Sequence, residues 1–219
     1  MGFELTGKDY AEYIKKAYEL IHENGEYVTE LDLATGDGDH WANINMGFEK
    51  LVEKADDLGG MPISDALKEI GKTMMAVIGG SSGVLYGSAY LAAAKAVKGK
   101  ETLDCQGVYD MLAAMLEAIM SRGQAKEGFK TMIDSLAPAV SAYKTAVSDQ
   151  KSELEICEIV KRAAIDGAEN TKDMEAVRGR ATYQANKGRG HLDPGAVTMS
   201  YQIGTLMDCI KEKKFKEVQ

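Results

Sequence analysis

The chain has little that would place it outside the cell, in a membrane or on a nucleic acid. Only three of its 219 residues are cysteine, at 105, 157 and 209, and none forms a CxxC pair. That spacing offers no disulfide framework and no thiolate zinc site, and it fits reduced thiols in a cytoplasmic protein. The opening MGFELTGKDYAEYIKK lacks the apolar stretch of a secretory signal. Met1, Gly2 and Thr6 meet a short myristoylation pattern, but no polybasic patch accompanies it. Apolar runs such as residues 89–97 are too short and too interrupted to span a bilayer. Basic side chains are outnumbered, 26 Lys and Arg against 34 Asp and Glu, for a net charge of −8. This argues against nonspecific binding to nucleic acid or to an anionic membrane surface. A nucleotide ligand stays open, because a metal ion and local dipoles can supply the positive field.

Three further absences bear on architecture and chemistry. Period-two alternation is nearly missing, so strands are not expected. No linker, repeat or low-complexity run divides the chain, which predicts one domain over residues 1–219. No Ser-His-Asp or Cys-His ordering suggests covalent acyl catalysis, so no nucleophilic residue is assigned.

What is present is helical spacing almost throughout. Hydrophobic residues make up 45% and charged residues 27%, an ordinary balance for a globular chain with a substantial core. A capping-box-like Thr6-x-x-Asp9 opens a first helix running to about residue 24, with Tyr10, Ile14, Tyr18 and Ile21 on one face. Further helices are expected over about 44–59, from Ser64 or Asp65 to 78, and over 83–97. A fifth spans 108–122 behind an Asp104 cap, and a sixth spans 131–147 with Pro138 inside. A seventh starts at Ser152, and a last covers about 196–211. About eight helices with short connections predict an all-α, antiparallel up-and-down bundle. The twelve methionines fall mostly on helix faces, where they read as core filling.

In such a bundle, connections after odd-numbered helices share one end. The segments 32–40, 79–83, 123–128 and 188–195 would therefore meet. The first packs Asp32, Asp37 and Asp39 beside two glycines and His40, and residues 31–40 read as a loop between helices. Three converging carboxylates repel one another unless a cation sits among them, and an all-oxygen set suits Mg²⁺ or Ca²⁺. An EF-hand fails, because Trp41 stands where its third ligand belongs and the required Gly and closing Glu are missing.

The other segments leave alternatives open. Gly79-Gly-Ser-Ser-Gly83 before a helix can hold phosphate oxygens on free amides and the hydroxyls of Ser81 and Ser82, or serve as a plain turn. It is no Walker A loop, since no Lys follows the last glycine. Arg178, Arg180, Lys187 and Arg189 are either solvated or partners for phosphates. Asp193-Pro-Gly195 reads as a tight turn with Pro194 in the first helical turn. His40 and His191 lie in these segments and His22 in the first helix.

Taken together, GDGDH at 36–40, GGSSG at 79–83 with Leu85-Tyr-Gly87, Gly128-x-Lys-Thr-Met-Ile-Asp134, Gly179-Arg-Ala181 and Gly190-His-Leu-Asp-Pro-Gly-Ala196 resemble the DhaL family. These are the nucleotide-binding subunits of dihydroxyacetone kinases, and the likeness covers almost the whole chain in the family's order. The resemblance implies an eight-helix antiparallel barrel with ADP or ATP and two Mg²⁺ at one end. It implies Asp32, Asp37 and Asp39 as metal ligands. Nucleotide contacts would come from His40, Trp41, Ala42, Asn43, Ser81, Ser82, Gly123, Met132, Arg180, Asp193, Pro194 and Gly195. It also implies two partners: a DhaK-like subunit holding dihydroxyacetone or a similar small ketose, and a DhaM-like phosphoryl donor of the phosphotransferase system.

Alternatives are an ATP-dependent kinase subunit for another ketose such as erythrulose, and a non-catalytic regulator. Two departures stand out. Trp41-Ala-Asn-Ile-Asn-Met46 replaces the usual Gly-Thr-Asn-Met, which predicts extra bulk beside the metal site and leaves Asn43 and Asn45 as rival alignments. Phe129 stands where an aspartate is common.

Overall fold

The computed structural model describes residues 2–218, with side chains to residue 215. The one-domain expectation also takes in Met1 and Gln219, which lie outside the described residues, as does the Met1 of the myristoylation pattern. Among the described residues there are ten α-helices, two short 3₁₀ turns and no strand beyond one isolated bridge. They are α1 (Gly7–Glu23), α2 (Gly25–Thr35), α3 (His40–Glu53), α4 (Ala55–Gly59) and α5 (Ile63–Val77). There follow α6 (Gly80–Ala96), α7 (Cys105–Gly123), α8 (Ile133–Ser148), α9 (Glu153–Asn170) and α10 (Pro194–Val218).

Two of the ten were not expected. Leu31–Thr35 is helix rather than loop, because it contains no glycine and Val28 and Asp32 share a buried face one turn apart. The loop proper is only residues 36–39. The expected second helix divides at Lys54 into α3 and α4. Taking α3 with α4 as one rod, and α2 as an appendage of α1, recovers the predicted eight.

Those eight rods close on themselves. Each of α1, α3, α5, α6, α7, α8, α9 and α10 packs on the next, and α10 packs back on α1. The closure lets each rod bury apolar side chains against both of its neighbours. The buried side chains form one continuous cluster, including Tyr10, Phe48, Tyr86, Tyr90 and Tyr143. Core hydroxyls find partners: Gln202 Nε2 donates to Tyr86 Oη at 3.0 Å, and Tyr143 Oη donates to the Cys105 carbonyl at 2.9 Å.

Side chains cap the starts of α1, α7 and α9. The Thr6 and Asp9 capping box opens α1, Asp104 Oδ1 receives Gly107 N–H at 2.8 Å to open α7, and a Ser152 and Glu155 box opens α9. Pro138 lies within α8, where it has no N–H for the Asp134 carbonyl. At that point α9 comes close: a Cβ on Gly167 would lie 2.2 Å from the Asp134 oxygen. Leu5 and Leu103 exchange backbone bonds of 2.8 and 2.9 Å at the end of the barrel away from the acidic loop. No helix among the described residues is long and apolar enough to cross a membrane.

Candidate functional site

The four predicted segments do meet, around a cavity of about 560 Å³. The 36–39 loop with the end of α2 forms one wall, the start of α6 a second, the end of α7 with residues 125–133 a third, and residues 178–181 with 193–195 a fourth.

The acidic wall is built by helix and glycine together. Asp32 projects from the last turns of α2 and is buried, whereas Asp37 and Asp39 are exposed. One carboxylate oxygen of each lies within 4.8 Å of the other two. Asp32 Oδ2 accepts the His40 N–H at 2.9 Å. Both loop glycines are required: a Cβ on Gly36 would lie 2.4 Å from Asp32 Oδ1, and Gly38 sits at φ +80°. Oxygen donors alone, three of them, one buried and fixed by a backbone amide, fit a hard divalent cation.

In the same cavity, α6 begins at Gly80, three residues earlier than predicted, so Ser81 and Ser82 occupy its first turn. No side chain caps this helix, which leaves its leading amides and positive dipole end directed at the cavity. Gly80 adopts φ +63°, and a Cβ on Gly83 would lie 2.1 Å from the Ile78 carbonyl, which explains the glycine spacing. Asn43 Oδ1 lies beside Gly79. Asn45 instead meets His22 Nδ1 at 3.1 Å on the outer surface. Of the two, Asn43 lies nearer the start of α6, and neither lines the cavity.

The remaining walls carry charge. Arg180 Nη2 stands 2.7 Å from Asp37 Oδ2, and Arg178 Nε donates to the Gln124 carbonyl at 2.9 Å. Asp193 caps α10, with its Oδ2 receiving Ala196 N–H at 2.7 Å. Burial pushes its carboxyl up to about 7, against the pull of that amide and of Lys130. Gly195 and Met132 back onto each other, Met132 nearly buried. His40 Nε2 lies 2.9 Å from Thr198 Oγ1. Burial lowers its imidazole pKa more than Asp32 and Asp39 raise it, which favours the neutral ring.

Of the predicted nucleotide contacts, His40, Ser81, Ser82, Gly123, Met132, Arg180, Asp193, Pro194 and Gly195 line the cavity. Trp41, Ala42 and Asn43 do not. Trp41 does not add bulk beside the carboxylates: its Nε1 donates to the Ile21 carbonyl at 3.0 Å, and its ring packs on Gly25 at the α1–α2 junction. Ala42 faces solvent, as does His191. Lys187 pairs with Glu175 at 3.6 Å on the surface. Arg122, Lys130 and Thr35 also line the cavity, and residue spacing did not single them out. Lys130 had one signal, its place within the Gly128–Asp134 motif.

An up-and-down helical barrel with carboxylates and cations gathered at one end defines the class. Residues 34–208 match the DAK2 domain, and the chain belongs to that family. Among its relatives, "PEP-dependent dihydroxyacetone kinase, ADP-binding subunit DhaL" of Escherichia coli is 32% identical, over 95% of this chain and 99% of the relative. A Listeria innocua subunit similarly named is 37% identical over 86% of this chain and 90% of its own. Human "Triokinase/FMN cyclase" is 32% identical over 85% of this chain but only 32% of its length. The dihydroxyacetone kinase of C. freundii, crystallised with AMP-PNP and Mg²⁺, shares the fold with a TM-score of 0.67 at 24% identity. That match covers 90% of this chain and 33% of the other.

Proposed function

We propose that this protein is the nucleotide-binding subunit of a dihydroxyacetone-kinase-type phosphotransferase. In this reading the whole chain acts as one DAK2 domain in the cytoplasm. It carries phosphoryl groups from a DhaM-like donor to dihydroxyacetone, or a similar small ketose, held on a DhaK-like subunit. The observation that carries the reading is that three carboxylates, within 4.8 Å of one another, line the same cavity as the uncapped start of α6. That pairing offers a cation site and a phosphate site in one cavity. The names of the full-length bacterial relatives support it.

Asp32, Asp37 and Asp39 would hold two Mg²⁺, which supply charge neutralisation and alignment of phosphate oxygens when bound. The amides of α6 with Ser81 and Ser82 receive phosphate oxygens, and Arg180 adds a planar fork of donors. Neutral His40 and Asn43 offer hydrogen bonds without adding negative charge. Met132, Gly123 and the turn at 193–195 close around the nucleoside. Trp41 and Ala42 act through the backbone and the α1–α2 junction. No residue of this chain needs to form a covalent bond.

The test is reconstitution. Purified protein is passed through gel filtration and desalting, its nucleotide content measured, and then mixed with a DhaK-like subunit, ketose and a phosphoryl donor. Retained ADP and ketose phosphorylation that is lost in Asp37→Asn support the proposal. No ketose phosphorylation with any DhaK-like partner and donor would favour a regulator instead. Fused relatives such as triokinase motivate a second reading, direct use of exchangeable ATP. Rapid loss of bound nucleotide with activity sustained by free ATP would favour it.

A further inference from the structure

Lys130 is the one lysine among the largest fully buried side chains, 2% exposed in the wall of the cavity. Its Nζ donates at 2.5 Å to the Thr171 carbonyl and at 2.5 Å to the His191 carbonyl. Those acceptors lie on separate segments. Thr171 begins the short 3₁₀ turn after α9, and His191 stands two residues before Asp193. Among the described residues its ammonium makes no direct ion pair; burial opposes its charge, while the carboxylates of Asp193, Asp134 and Asp173 favour it from further off. An ammonium buried without a close counter-ion is expensive, and an apolar side chain of similar size is commonly as good for stability alone. The charge therefore points to something other than holding the fold together.

The backbone is arranged to deliver it. Lys130 adopts a left-handed conformation, φ +61°, which an L-residue with a long side chain adopts rarely. Buried Asp134 imposes this turn by accepting Gly128 N–H at 2.5 Å and Thr131 N–H at 2.7 Å. The receiving segment is fastened at a second point, since Asp193 N–H donates to Thr171 Oγ1 at 2.9 Å.

We propose that Lys130 is a positioning residue: its ammonium staples residues 188–193 to the end of α9 and so sets the 193–195 turn at the height needed to meet the nucleotide. This rests on the nucleotide-site reading above. Lys130 does not touch the reacting atoms; it acts through the turn.

Lys130→Met keeps length and removes the donors, and Lys130→Ala leaves space for an added cation. Hydrogen exchange over 188–197 is measured without ligand, Mg-ADP affinity by calorimetry, and Tyr143→Phe serves as a control distant from the site. The expected result for Lys130→Met is faster exchange confined to 188–197 and an Mg-ADP Kd raised about tenfold or more, given two charge-assisted bonds lost. For Lys130→Ala, n-propylammonium restores affinity and 1-propanol does not. Unchanged exchange, unchanged Kd, or exchange raised evenly across the chain as in a general loss of stability would each overturn the proposal. If Lys130→Met does not fold, Lys130→Ala with and without n-propylammonium is read by the same two assays, since the added cation restores the donors to the Thr171 and His191 carbonyls. If wild-type protein binds no Mg-ADP, the functional reading fails, and the exchange measurement still decides whether Lys130 braces the turn.

Discussion

Arg180 reaches across the mouth of the cavity to Asp37, guanidinium nitrogen to carboxylate oxygen at 2.7 Å. The contact joins the 178–190 segment to the acidic loop, and Gln184 Nε2 repeats the connection by donating to the Ala34 carbonyl at 2.8 Å. Because Arg180 is 63% exposed, the pair adds little to stability, at most about 1 kcal/mol. Its position suits ligand binding better. Arg180→Ala should leave the unfolding midpoint nearly unchanged while lowering Mg-ADP affinity about tenfold or more. Arg180→Lys should recover little of it, because one ammonium cannot reproduce a planar fork. Calorimetric titration beside a thermal melt separates the two effects.

Gly36→Ala tests the acidic loop without changing any charge. Its Cβ would fall 2.4 Å from Asp32 Oδ1, so the carboxylate must move. The expected outcome is a folded protein with Mn²⁺ or Mg²⁺ affinity reduced about tenfold to a hundredfold, comparable to loss of a supporting contact at a metal site. Metal titration followed by Mn²⁺ electron paramagnetic resonance measures it.

Trp41 separates stability from binding in the opposite sense. The indole holds the α1–α2 junction through Ile21 and Gly25 and is not part of the cavity wall. Trp41→Ala should cost about 2–4 kcal/mol in denaturant unfolding, with Mg-ADP affinity of the folded fraction little changed. A large loss of affinity at unchanged stability would return Trp41 to the site.

Asp193 predicts a pH dependence. Its carboxyl is raised to about 7, above the ordinary carboxylate value, so between about pH 4 and 7 the folded state keeps a proton that the unfolded chain releases. Its contribution is therefore fully present below about pH 4 and is lost as pH rises toward 7. Asp193→Asn, which retains an oxygen for the Ala196 amide, should become progressively more stable than wild type across that window, by up to a few kcal/mol. Urea melts of ligand-free protein at pH 4.5, 6 and 7.5 check the sign.

The sequence made the barrel and the meeting of four segments legible because helical periodicity is strong and glycines punctuate the ends. Composition misled at Leu31–Thr35: the aspartates and glycines of 36–39 coloured the whole stretch, while the five residues before them continue a helix. Position next to His40 says nothing of the direction of the Trp41 indole, because one residue on a helix turns a side chain by 100°. Lys130 resisted reading for a different reason. Its partners lie 41 and 61 residues away, and only the closed barrel brings them together.

On the proposed function, nucleotide binding depends on a divalent cation held by Asp32, Asp37 and Asp39. ADP titration of wild-type protein and of Asp37→Asn, each with Mg²⁺ and with EDTA, tests it most directly. Tight binding is expected only for wild type with Mg²⁺, with a loss of at least about a hundredfold in the other three conditions. Equal ADP affinity with and without Mg²⁺, or an Asp37→Asn variant that binds like wild type, would contradict it.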